Sequence, residues 1–96
     1  MFSITGGKGF QLTFPNGWTA SVQWGAGNYC ENYNVMEYEN PFVLNPNLRK
    51  YESQTAEIAA WDRDGKWYSF GSEYETVKGY VHTEDIPEFL AMVAGF

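Results

Sequence analysis

The chain has 96 residues and a mass of 11.0 kDa, the size of one domain. Hydrophobic residues make up 44% of it, which is enough for a globular core. Six basic residues oppose twelve acidic ones, and the net charge of −6 argues against a nucleic-acid partner, because phosphate binding needs clustered cations. No apolar run approaches the ~18 residues of a membrane span, and no signal-peptide pattern is present. We therefore expect a single domain over residues 1–96, with no direct contact to nucleic acid or membrane.

The charge is distributed unevenly along the chain. Residues 1–30 carry Lys8 as their only charged side chain, and the first acidic residue is Glu31. This division indicates buried or uncharged sheet in the first third and an acidic surface in the remainder.

Cys30 is the only cysteine, so the chain forms no internal disulfide. The sequence also contains no Asn-x-Ser/Thr acceptor. Both observations favour a reducing, cytoplasmic setting. No cation neighbours Cys30 in the sequence and Glu31 follows it, so we predict a small buried side chain or an unreactive loop thiol.

Period-two alternation over residues 10–24 predicts a half-buried β-hairpin. A two-residue loop would pair Phe14 with Thr19 and place an apolar residue opposite a polar one. A three-residue loop at residues 15–17 pairs Phe14 with Trp18, so we predict that loop, with its glycine in the left-handed conformation. The same register pairs Leu12 with Ala20 and Phe10 with Val22.

Residues 55–70 predict a second hairpin around a turn at residues 62–65. With Gly65 left-handed, the turn pairs Ile58 with Phe70 and Ala60 with Tyr68. A two-residue turn at residues 64–65 is nearly as plausible, and the register stays open between the two. Before the first hairpin, residues 2–5 predict a further strand, and residues 76–82 a fifth strand or an extended lead-in.

The last segment predicts a short helix. Its apolar residues recur at helical spacing, and Gly95 is the expected end. Asp85 and Glu88 match a capping box, Thr83 is a competing cap, and Pro87 suits the first turn. A helix of ~10 residues is unstable alone, so it must dock on the sheet. The apolar stripe consists of Ile86, Phe89, Leu90 and Val93.

Together these elements predict an α+β fold, in which an antiparallel sheet of about five or six strands in hairpins carries one C-terminal helix on one face. Residues 25–54 give no clear assignment. So long an irregular connection is often functional. The alternative is a surface excursion with a short strand over residues 42–44.

The opening FSITGGKGFQLTFPNGWTASVQWGAGNYCENY, the segment ESQTAEIAAWDRDGKWY and a closing short helix resemble a family of small bacteriophage and prophage proteins. The resemblance covers most of the chain and excludes roughly residues 35–50. It implies an accessory phage protein in the host bacterial cytoplasm, and it brings no established activity. Small phage accessory proteins commonly act on host machinery or host defences, so it implies a host-directed role.

Two short motifs invite ligand interpretations that turn chemistry explains better. The glycine-rich residues 6–9 lack the Ser or Thr and the following helix of a phosphate-binding loop, so we predict a turn between strands. Its N–H groups and Lys8 could hold one small anion. Asp62 and Asp64 suggest a calcium loop, but Gly65 stands at the fourth position and strands flank the segment.

Catalytic and metal chemistry find little support. One histidine and one cysteine cannot complete a standard zinc site, and a catalytic pair of Cys30 with His82 lacks a third orienting group. We predict no catalysis, no metal and no cofactor. Five carboxylates lie close together in sequence: Glu73, Glu75, Glu84, Asp85 and Glu88. They are better explained as solvated charges and as the start of a helix than as the catalytic pair of a glycosidase.

Aromatic residues make up 19% of the chain, and its four tryptophans cannot all be fully buried in so small a core. The aromatic residues could simply fill the core of the sheet. Alternatively, residues 24–40 form a recognition surface, because Tyr, Trp and Asn make contacts at low entropic cost. The candidate binding residues are Lys8, Trp24, Asn28, Tyr29, Asn32, Tyr33 and Tyr38.

The leading hypothesis is a phage-encoded protein that binds and inhibits or redirects a host defence protein without catalysis. Its acidic surface would favour a partner with a basic surface, and the aromatic residues would supply affinity. The alternative is sequestration of a small nucleotide-like signalling molecule in a site lined by aromatic residues and asparagines. Its base would be held by the rings of Trp24, Tyr29 and Tyr33 and the amides of Asn28 and Asn32. Its phosphate would be held by Lys8 with the turn at residues 6–9. A homo-oligomer is left open for that site, because one small domain offers a shallow pocket.

Overall fold

The computed structural model describes residues 1–6, 8–33 and 52–96. They form an antiparallel sheet of five strands, which lie side by side in chain order, and one helix at the C-terminal end. The predicted α+β class is therefore confirmed. The strands are β1 (Phe2–Ile4), β2 (Gly9–Thr13), β3 (Thr19–Gln23), β4 (Thr55–Trp61) and β5 (Lys78–His82), and a 3₁₀ turn (Thr83–Asp85) leads into α1 (Ile86–Ala94).

The first hairpin has the predicted register and loop. The N–H of Phe14 donates to the carbonyl of Trp18 at 2.8 Å, which closes a three-residue loop. Gly17 has a φ of 89°, a left-handed conformation that glycine adopts without steric cost. The remaining pairs, Leu12 with Ala20 and Phe10 with Val22, are also as predicted.

The turn of the second hairpin is confirmed as a three-residue loop. Asp62 donates its N–H to the Lys66 carbonyl at 2.9 Å, and Gly65 donates to the Asp62 carbonyl at 3.0 Å. Beyond the turn, Tyr68 donates to the Ala60 carbonyl at 2.8 Å, as the three-residue register requires. The alternative two-residue turn is thereby excluded.

The returning arm of that hairpin does not continue as a strand. The predicted pairing of Ile58 with Phe70 is wrong, because Ile58 pairs with Lys78 of β5. Phe70 instead donates its N–H to the Glu75 carbonyl at 2.8 Å, and its ring lies 6.2 Å from that of Phe89 on α1. The arm thus leaves the ladder to pack on the helix, and β5 takes its place beside β4.

The start of α1 differs from the prediction and its end agrees with it. Asp85 makes no side-chain cap hydrogen bond, so the capping box with Glu88 does not form. The preceding 3₁₀ turn makes Thr83 and Asp85 helical already, and neither takes the extended conformation of a capping residue. Pro87 lies in the first turn and Gly95 directly follows the last helical residue, as predicted.

The helix packs on one face of the sheet, over its last three strands. Ala20 and Ala60 lie opposite each other on β3 and β4 and are fully buried. Their small side chains let Phe89 and Val93 approach the sheet closely. The buried core consists of Ala20, Val22, Ala56, Ile58, Ala60, Val81, Phe89 and Val93.

The hairpin loop between β2 and β3 holds the C-terminal end of the helix. The Asn16 side-chain amide donates to the carbonyls of Val93 at 2.9 Å and Ala94 at 3.2 Å, two groups that have no partner within the helix. The rings of Trp18 and Phe96 lie 4.6 Å apart beside this contact. At the opposite end of β3, the start of the helix meets Trp24, so the helix runs along the strands.

Phe89→Ala should lower the free energy of unfolding by about 3–5 kcal/mol, because losing a ring this buried leaves a cavity between helix and sheet. Tyr74→Ala removes an 86% exposed ring and should change that free energy by less than about 0.5 kcal/mol. Urea unfolding followed by circular dichroism measures both. Equal effects of the two substitutions would contradict the core position of Phe89.

Candidate functional site

The predicted binding residues separate into groups with different environments. Most lie on the loop over residues 24–33 that follows β3, and Lys8 lies in the turn between β1 and β2. Tyr29 and Tyr33 form an exposed pair, whereas Asn32 is buried. Tyr38 and the strand predicted over residues 42–44 lie outside the described residues.

Tyr29 and Tyr33 stack on each other at the surface. Their ring centroids are 5.9 Å apart and their planes differ by 3°. Tyr29 is 56% exposed and Tyr33 is 40% exposed. Stacked, half-exposed tyrosines give a rigid apolar surface with polar hydroxyl tips, a combination that is enriched where proteins bind partners.

The backbone of Tyr29 is fixed to two strands of the sheet. Its N–H donates to the Glu57 carboxylate on β4 at 2.7 Å, and its carbonyl accepts from the N–H of Tyr80 on β5 at 2.8 Å. Gly79 lies directly against Tyr29, where it leaves no space for a side chain. The sheet therefore fixes the position of the Tyr29 backbone before any binding partner is present.

A bulge in β5 makes this attachment possible. The pairing of β4 with β5 shifts between Ala56 and Ile58. At this shift Tyr80 has a φ of 55°, a conformation that few residues other than glycine adopt. Bulges re-aim backbone and side-chain groups, and here the N–H of Tyr80 meets the Tyr29 carbonyl.

Asn32 holds the loop together from inside. It is 1% exposed, and its carbonyl oxygen accepts from the N–H of Gly25 at 2.7 Å and from the Cys30 thiol at 3.0 Å. Its amide nitrogen donates to the Glu52 carbonyl at 2.9 Å. The structure thus gives Asn32 the role of fixing the loop that carries the tyrosines, and its amide is not presented to a ligand.

Asn28 and Lys8 both bond the backbone of Trp24. The Asn28 amide donates to the Trp24 carbonyl at 3.1 Å, and the N–H of Trp24 donates to the Lys8 carbonyl at 2.8 Å. The Trp24 ring meets Phe10 edge-on, with centroids 6.3 Å apart. It also lines a cleft of about 360 Å³ beside the start of α1.

Trp24 and the tyrosine pair lie on opposite faces of the sheet. The Trp24 ring lies on the face that the helix covers, beside Phe10 and Ile86. Glu57, which holds Tyr29, lies between core residues of β4, and side chains alternate along a strand, so it belongs to the other face. The tyrosines are therefore a separate surface from the cleft at Trp24.

Carboxylates flank the exposed pair. Glu31 lies between the two tyrosines in sequence, its N–H donates to the Thr55 hydroxyl at 2.8 Å, and its carboxylate accepts from the N–H of Gln54 at 3.2 Å. Glu57 supplies the second carboxylate. These two negative charges, one on the loop and one on the strand that holds it, favour a cationic partner over an anionic one.

The remaining motifs have structural roles in the described residues. Asp62 accepts hydrogen bonds from the N–H groups of Asp64 and Lys66, both at 2.9 Å, so its carboxylate has the predicted role in the turn. The residues around Lys8 form the predicted turn between strands. Cys30 is buried, also as predicted.

Within residues 1–6, 8–33 and 52–96, no group of three metal-binding side chains occurs. No helix in these ranges is long and apolar enough to cross a membrane.

Several residues that build the site were not predicted. The period-two pattern of β4 marks Thr55 and Glu57 as polar positions, which indicates their face but not the loop they hold. No local pattern indicated that Gly79 and Tyr80 would meet Tyr29, because that contact depends on the bulge. The loop is bonded to Glu52, Thr55 and Glu57, each of which lies 20 or more positions away in the chain from the loop residue that it bonds.

No family model, no curated protein and no solved structure matches the chain. The class of the protein is defined by its own structure, an antiparallel α+β fold with an exposed aromatic pair on a fixed loop.

Asn32→Ala should lower the free energy of unfolding by about 1–3 kcal/mol, because the N–H of Gly25 is left buried without its acceptor. Asn28→Ala removes one partly buried hydrogen bond and should cost about 1 kcal/mol or less. Urea unfolding of the two variants gives the comparison. An Asn28→Ala cost as large as that of Asn32→Ala would argue against Asn32 as the residue that fixes the loop.

Gly79→Ala should separate the loop from β5. The added Cβ would lie 2.6 Å from the Cβ of Tyr29 and 3.0 Å from its carbonyl oxygen, and both distances are too short. We expect a loss of about 1–3 kcal/mol in unfolding free energy and faster hydrogen exchange at the Tyr80 amide. Nuclear magnetic resonance measures that exchange, and an unchanged rate at Tyr80 would count against this attachment.

Proposed function

We propose that this chain is a non-catalytic binding protein whose contact surface is the stacked pair Tyr29 and Tyr33 with its flanking carboxylates. The single observation that carries the proposal is that two half-exposed tyrosines stack on a loop that buried hydrogen bonds hold in place. Binding residues of this type dominate affinity when they are aromatic and already ordered, because little conformational entropy is lost on contact.

The partner that fits this surface is a protein with basic side chains around an apolar pocket. Glu31 lies between the two tyrosines in sequence, Glu57 accepts from the Tyr29 N–H, and the whole chain carries a net charge of −6. Opposite charge mainly raises the association rate, whereas the aromatic anchors slow dissociation. The charge thus favours particular partners and the tyrosines supply most of the affinity.

The resemblance to phage accessory proteins supplies the biological setting of the proposal. In that setting the partner is a host protein, such as a defence enzyme with a basic nucleic-acid-handling surface, and binding inhibits or redirects it in the bacterial cytoplasm. The proposal requires no catalytic group in this chain.

Sequestration of a nucleotide is the alternative, and the geometry favours it less. The amide groups of Asn28 and Asn32 donate to carbonyls of the chain itself, so they are engaged elsewhere than with a base. The Trp24 ring lies in the cleft by the helix rather than beside the tyrosines. What supports the alternative is Lys8, a cationic residue in the turn between β1 and β2.

The test is capture from a bacterial host lysate on the immobilised chain, with the eluate divided between protein and nucleotide mass spectrometry. Three forms are compared: the unchanged chain, the double variant Tyr29→Ala/Tyr33→Ala, and Tyr74→Ala. Tyr74 is 86% exposed and lies outside the site, so it is the matched loss of a surface ring. The double variant keeps the backbone groups of residue 29 that bond Glu57 and Tyr80.

We expect a stoichiometric host protein that the unchanged chain and Tyr74→Ala retain and the double variant loses. With that protein purified, the double variant should bind at least about thirtyfold more weakly, as loss of a hot spot of about 2 kcal/mol predicts. The association rate should also fall with added salt. A host protein that the double variant retains in full would overturn the proposed surface, and a nucleotide eluting without protein would favour the alternative.

A further inference from the structure

The outer edge of β1, a strand of three residues, is apolar and is not guarded by a charged side chain, a proline or a bulge. Phe2 is 85% exposed and Ile4 is 86% exposed, although both belong to a strand. Natural edge strands are commonly guarded by charge, proline or a bulge. Residues 1–5 contain no charged side chain and no proline, and the pairing of β1 with β2 is regular.

The hydrogen-bond pattern shows which groups of β1 face outward. Met1 donates to the carbonyl of Thr13, at the end of β2, and accepts from its N–H, so the two residues form a bonded pair. At the other end of β1, Thr5 donates its N–H to the Gly9 carbonyl. Residues alternate between bonded and non-bonded pairs in an antiparallel ladder, so Phe2 and Ile4 direct their N–H and C=O groups away from β2. Four backbone groups thus face outward, and no described residue pairs with them.

The four outward groups of one copy can bond the same four groups of a second copy. If two copies of β1 run antiparallel about a two-fold axis at Ser3, Phe2 of each copy lies opposite Ile4 of the other. Both of those pairs are then hydrogen-bonded pairs, so all four outward groups are satisfied. The same symmetry keeps the Phe2 and Ile4 side chains of both copies on one face, where they bury each other.

The charge distribution permits this contact despite the acidity of the chain. The first acidic residue in the sequence is Glu31, and β1 and β2 contain no charged side chain. Two copies can therefore meet at β1 without placing carboxylates opposite each other. The other edge of the sheet is unlike it, because β5 carries Lys78 and the bulge at Tyr80, both of which discourage pairing.

We propose that β1 pairs with β1 of a second copy of this chain to form a symmetric dimer with a continuous ten-stranded sheet. The contact involves two exposed apolar side chains per copy, Phe2 and Ile4, and buries less than the roughly 800 Å² per partner of a standard interface, so the dimer is reversible. The pairing occupies the outer edge of β1 in both copies, and the assembly therefore closes at two copies.

Sedimentation equilibrium between about 10 μM and 1 mM tests the association. The expected mass rises with concentration from 11.0 kDa toward twice that value. Ile4→Lys should raise the dissociation constant about tenfold or more, because it places a charge at the contact. Tyr74→Lys introduces the same charge at a side chain that is also 86% exposed but lies away from β1, and it should leave the dissociation constant unchanged. Circular dichroism confirms that both variants are folded.

The register has its own test. In the proposed dimer the two Ser3 residues form a non-bonded pair with Cα atoms about 4.5 Å apart, within the range that a disulfide spans. Ser3→Cys should therefore give a covalent dimer when oxidised with diamide. Thr5→Cys, which is equally half-buried but lies away from the axis, should stay monomeric on a non-reducing gel.

Three results would overturn the proposal. The first is a mass of one chain at every concentration. The second is a dimer that Ile4→Lys leaves intact, which would place the contact elsewhere, for instance at β5. The third is a species larger than two copies, because pairing through β1 cannot extend beyond a dimer.

Discussion

In the part of the chain that the structure describes, one short helix has to cover a sheet that is wider than the helix. With its side chains an α-helix is about 10 Å across, whereas five strands at a spacing of about 4.8 Å extend over about 19 Å. The buried core accordingly draws its sheet residues from β3, β4 and β5. The exposed Phe2 and Ile4 on β1 follow from the same limit, because they lie on the part of the sheet that the helix does not reach.

Two asparagine side chains connect parts of the chain that lie far apart in sequence. Asn16 donates to carbonyls at the end of α1, and Asn32 both accepts from Gly25 and donates to Glu52. An amide offers a donor and an acceptor on one short side chain, so it satisfies backbone groups of two kinds at once. In this chain such contacts hold the helix to the first hairpin and the tyrosine loop to the start of β4, without a disulfide between them.

The two proposed contact surfaces lie at different edges of the sheet. The tyrosine pair is attached to β4 and β5, and the apolar edge is β1. A dimer through β1 would therefore leave both tyrosine pairs accessible. Two linked sites raise the effective concentration of the second contact when the partner is itself an oligomer.

The sequence alone determined the elements whose signals are local. Alternation over residues 10–24 specified the register of β2 with β3, since a slip of one residue would have reversed every side chain. The stripe with Phe89 and Val93 specified the buried side of α1. Tyr29 and Tyr33 were recognisable as candidates from residue type and setting.

Only the tertiary structure decided the features that depend on contacts between distant residues. Phe70 left the β4 ladder for the helix, the bulge at Tyr80 brought β5 to the Tyr29 carbonyl, and Asn32 became buried instead of exposed. The physical reason is the same in each case. A backbone or amide group takes the partner that folding brings within hydrogen-bond distance, and that partner leaves no periodic mark on the sequence around the group.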